Sequence, residues 1–226
     1  MDFQGPEAAD LANVHALNLG FLKLLRSHEA VLAATNSAAI SVLSKLGALS
    51  GARVDRIARC PFLVYSLAEA DDRRWTTLFD DNDQQDLIDQ LQKPPDAAAL
   101  LAAATLGFLW ELARRNPYAT RLVSGAPLGW CEQLADSTPY RLFRFAAMQS
   151  NLLAPRLATQ GLFWEKLLGA GTSSHAEIRE AAQLCALQTV LTLSPKERYR
   201  PLRTAACQMP SPTMRVADRA RRPPGN

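Results

Sequence analysis

The sequence predicts an all-α protein: a multi-helix bundle in two helical units, followed by a disordered basic C-terminal tail. Three observations carry that class. Apolar residues recur at steps of three and four through most of the 226 residues. Helix start and stop signals punctuate the chain at short intervals. Only one short stretch, FLVYSL, favours β structure.

Taken in order, Glu7 to Ala34 reads as an amphipathic helix with Leu11, Val14, Leu17, Phe21, Leu24 and Leu25 on one stripe. Asn18 falls at the edge of that stripe, where it would face solvent or a partner. Asn36 or Ser37 caps a second helix to about Leu46, which Gly47 ends. Ser50 opens a third, from Gly51 to Arg59, with Val54 and Ile57 inward and Arg53, Arg56 and Arg59 outward. Pro61 closes it, because proline disfavours helix in the residue before it. FLVYSL then reads either as a strand or as a buried helical or extended segment.

Glu69 to Asp96 holds nine acidic and three basic residues, a net of −6, and reads as a solvated linker ending at Lys93-Pro94-Pro95. Asp96 caps a helix to Arg115 that Asn116-Pro117 stops. Short helices follow at Tyr118–Ser124 and Pro127–Ala135, separated by Gly125. Thr138-Pro139 places a cap hydroxyl before a first-turn proline and starts a helix to about Leu153. Pro155 starts or kinks the next helix, which ends near Gly169. Ser174 and Glu177 have capping-box spacing and open a helix to Leu193. Residues 194–226 carry eight basic and two acidic residues, a net of +6. From about Gln208 the chain lacks the apolar groups to order itself. The resulting division is 1–80, an N-terminal helical unit suited to dimerisation; 81–95, an acidic and proline-bearing linker; 96–207, a C-terminal bundle; and 208–226, the tail.

Composition excludes a collagen, a disulfide scaffold and a fully disordered chain: 48% of residues are hydrophobic and 21% charged. The formal net charge of +3 names no partner. The acidic opening MDFQGPEAAD does not read as a signal peptide, and the apolar run from Ala97 to Trp110 is short of a membrane span. The four cysteines form no C-x-x-C pair and read as reduced thiols in a cytoplasmic protein with no metal site.

Catalytic patterns are missing from the sequence. There is no G-x-S-x-G, P-loop, dinucleotide fingerprint or H-E-x-x-H. His15 reads as a packed or partner-facing histidine. His28 stands beside Glu29, but adjacent helical residues do not face each other. The expectation is a protein without catalytic residues or cofactors. Trp110, Trp130 and Trp164, among aromatic neighbours in the C-terminal helices, read chiefly as core and alternatively as the lining of a ligand pocket.

Two surfaces remain as candidates for binding. Ala39 to Arg59 has the order helix, glycine, helix, with Arg53, Arg56 and Arg59 outward as candidate DNA contacts. Setting Gly47 at the turn makes that turn one residue too long for a standard helix-turn-helix, so an ordinary helical hairpin is the competing reading. On the first helix, Leu17, Asn18, Phe21 and Leu25 form a candidate partner interface, for a homodimer or a helical protein partner.

The run Leu17-Asn18-Leu19-Gly20-Phe21-Leu22, followed by Leu43-Ser44-Lys45-Leu46, Val54 to Arg59 and Phe62 to Leu67, resembles the D subunit of the bacterial flagellar master transcriptional regulator. The likeness covers residues 11–80. Residues 96–205 have no counterpart in that family. What it implies is a helical, dimerising, cytoplasmic protein that regulates transcription through a partner subunit.

Overall fold

The computed structural model describes residues 4–27, 42, 44–80, 96–149 and 151–193. Residues 42 and 44–47 are helical, and nine α-helices have both ends among the described residues: α1 (Ala8–Ser27), α2 (Gly51–Ala58), α3 (Asp72–Asp80), α4 (Ala97–Arg115), α5 (Pro117–Ser124), α6 (Leu128–Asp136), α7 (Pro139–Met148), α8 (Gly161–Gly169) and α9 (Ala176–Leu193). A 3-10 turn at Ala170–Thr172 joins the last two. The fold is all-α, a multi-helix bundle. The expected linker 81–95, the tail 208–226 and His28 lie outside the described residues, as do residues 28–34 of the expected first helix.

Local signals explain most helix boundaries. The Asp96 carboxylate accepts from the Ala99 amide at 2.8 Å and opens α4. Asn116 closes α4 with its backbone amide, and its side chain accepts from Ala119 to open α5, with Pro117 in the first turn. The Thr138 hydroxyl accepts from Arg141 at 3.4 Å and starts α7. Before α9 the Ser173 hydroxyl accepts from the His175 amide at 3.1 Å, in the turn that leads into the helix.

Three expectations are corrected. The acidic stretch is not wholly linker, because 72–80 forms α3, with Trp75 and Leu78 buried one turn apart. The helix from Pro139 stops at Met148 instead of Leu153, and Leu152 and Leu153 are buried in the following loop. Pro155 does not begin a helix. It lies in a short strand, β2 (Ala154–Pro155), antiparallel to β1 (Tyr65–Ser66), with Tyr65 opposite Pro155 and Ser66 opposite Ala154. A proline fits there because a sheet edge leaves its missing N–H unneeded.

One contiguous core draws on both sides of residues 81–95. Val14, Phe21 and Leu25 of α1 share it with Ile57 of α2, Leu106 and Leu109 of α4, Trp164 of α8 and Val190 of α9. Helix α4 packs against α1, α5, α6 and α7. It is also, by length and composition (mean hydropathy 1.4), apolar enough to cross a membrane. In this fold Ala102, Thr105, Leu106, Leu109 and Leu112 bury one of its faces in the bundle.

Gly125 ends α5 in the left-handed region at φ 65°. A Cβ there would stand 2.3 Å from Val190 Cγ1 and 3.1 Å from Arg156 Nη1. Gly125→Ala is therefore expected to cost about 2–3 kcal/mol, from backbone strain together with overpacking. Adding Val190→Ala in the same chain relieves the clash but not the strain. Urea midpoints of the single and double variants separate the two contributions.

Candidate functional site

The region where the resemblance lies is fastened by one polar side chain. Asn18, expected to face solvent or a partner, is fully buried. Its Nδ2 donates to Ala58 O at 3.2 Å and to Phe62 O at 2.9 Å. Its Oδ1 accepts from the Val64 amide at 2.9 Å. The side chain thus uses both ends of its amide to hold α1, the end of α2 and the segment entering β1 in one arrangement. Phe21 is fully buried and stacks on Tyr65 with ring centroids 4.5 Å apart, while Leu25 is 1% exposed. Of the candidate partner interface on α1, only Leu17 keeps partial exposure. That face is the chain's own core.

The arginines of α2 are divided. Arg53 donates through Nε to the Thr172 hydroxyl at 3.0 Å and through Nη2 to Leu168 O at 2.6 Å. Arg56 donates to Thr172 O at 3.0 Å, and Gln183 Nε2 donates back to Arg56 O at 3.1 Å. Both guanidinium groups satisfy carbonyls at and just beyond the end of α8, which helix geometry leaves without partners. They join α2 to α8 and α9 and are not held out for a phosphate backbone. Arg59 is exposed and bonds Asp55 one turn earlier at 3.0 Å.

Asp55 also meets His15 of α1, with Nε2 and Oδ1 3.1 Å apart. The Arg59 hydrogen bond holds the Asp55 carboxyl below its ordinary value of 3.8 against an opposing push from desolvation, and His15 adds a lesser lowering. A depressed carboxylate contributes stability above its unfolded pKa, lost as pH falls through the folded one. Asp55→Asn should therefore flatten the loss of stability below about pH 4, read as urea midpoints at about pH 6 and about pH 3.

Behind this region lies a buried polar centre that the sequence reading missed. Arg156 and Glu69 are 5% and 6% exposed and pair at 3.0 Å. Arg156 Nε donates to Leu63 O at 2.7 Å, Nη2 donates to Tyr65 O, and its backbone carbonyl accepts from Trp164 Nε1 at 2.8 Å. Left-handed backbone at Ala68 (φ 56°), just before Glu69, and at Leu157 (φ 48°), just after Arg156, adjoins the pair beyond the two strands. Such strained residues persist where the surroundings over-determine them, as this pair does. The Tyr65 hydroxyl meets Thr105 Oγ1 at 2.6 Å, and Thr105 donates to Leu101 O. Burial raises the Tyr65 pKa and pushes the Cys60 thiol up to about 12, so neither ionises near neutrality.

The three tryptophans proposed as a pocket lining are engaged by different neighbours. Trp110 donates to Ser137 O at 2.7 Å and carries Arg114 over its ring at 5.0 Å. Trp130 meets Trp75 edge to face at 5.0 Å, and its Nε1 is buried without a hydrogen-bond partner. Trp164 is 1% exposed against Phe163. An open groove of about 410 Å³ lies elsewhere, lined by Gly20, Lys23, Leu24, Ala97 and Leu101. Among the described residues, no three His, Cys, Asp or Glu side chains converge to hold a metal ion. Comparison with protein-family models, curated proteins and solved structures finds no match to this chain.

Proposed function

We propose that the chain is a non-enzymatic helical regulatory protein, acting in the cytoplasm on transcription through a partner subunit. The observation that carries this reading is the place of Asn18. Within residues 11–80, Asn18, which follows Leu17, is a polar residue in a mostly hydrophobic resemblance to the flagellar regulator's D subunit. It is also the side chain that binds α1 to the end of α2 and to Phe62 and Val64. A buried amide with three specific partners supports a shared arrangement better than apolar periodicity does.

The engagement of Arg53 and Arg56 within the chain favours action through a partner over direct contact of α2 with DNA. An adaptor role without any DNA is the second reading, favoured by the same engagement. Capture of the tagged full-length chain from its native cell, followed by mobility shifts on genomic fragments at about 50 mM salt, tests both. The expected result is a shift with the captured partner present and none with the chain alone. A captured partner that binds no DNA leaves the adaptor reading and removes transcription.

A further inference from the structure

We draw no further inference here: the strongest candidate, the open and mainly apolar groove between the second half of α1 and the first turns of α4, lined by Gly20, Lys23, Leu24, Ala97 and Leu101, carries none because nothing in the structure shows what covers it.

Discussion

Replacing Arg156 with methionine is expected to lower the unfolding free energy by about 3–5 kcal/mol, the usual cost of removing one member of a buried ion pair. The guanidinium does several things at once. It neutralises Glu69, which is 6% exposed, and it satisfies the carbonyls of Leu63 and Tyr65. Methionine matches much of the volume but leaves a buried carboxylate and two carbonyls without donors. Stability should recover in part when Glu69→Leu is added, because a buried pair replaced as a unit is often neutral. Urea unfolding of the parent, the single variant and the double variant gives the coupling. An Arg156→Met chain within about 1 kcal/mol of the parent would show that water reaches this centre.

Asn18→Ala is expected to cost about 3 kcal/mol or more. It removes three hydrogen bonds and leaves the Ala58 and Phe62 carbonyls and the Val64 amide unpaired in the interior, at about 1–3 kcal/mol for each group stranded. Asn18→Asp should be at least as damaging at neutral pH. It keeps an oxygen for Val64 but turns a carboxylate toward two carbonyl oxygens. The surface variant Ala12→Ser on the same helix is the control and should change little. Equilibrium unfolding checks the order parent, Ala12→Ser, Asn18→Ala.

Features decided by neighbours in the chain were legible from sequence. Val54 and Ile57 one turn apart, with Pro61 beyond, located α2 and its buried side. Asn116-Pro117 located the end of α4 and Thr138-Pro139 the start of α7, because cap and proline act within one turn. What the sequence hid depends on distant partners. Asn18 read as a boundary residue because its three hydrogen bonds lie 40 to 46 residues away. Arg53 read as outward because Thr172 stands 119 residues on. Pro155 gives the same local signal at a helix start and at a strand edge, and only Tyr65 opposite it decides between them. Of Glu69 and Arg156, 87 residues apart, only Arg156 carried a usable hint, as a lone charge inside an apolar run; Glu69 stands at the head of the acidic stretch. Helix α3 was obscured by acidic composition, although Trp75, Leu78 and Phe79 already had helical spacing.

Regulation through a partner can be decided by transcript profiling of the native cell with the chain deleted, restored, or restored as Asn18→Asp. The expected result is a defined set of transcripts that changes on deletion, returns with the parent chain, and fails to return with the variant. A profile unchanged by deletion, in cells where the parent chain is shown to be expressed, would contradict a role in transcription.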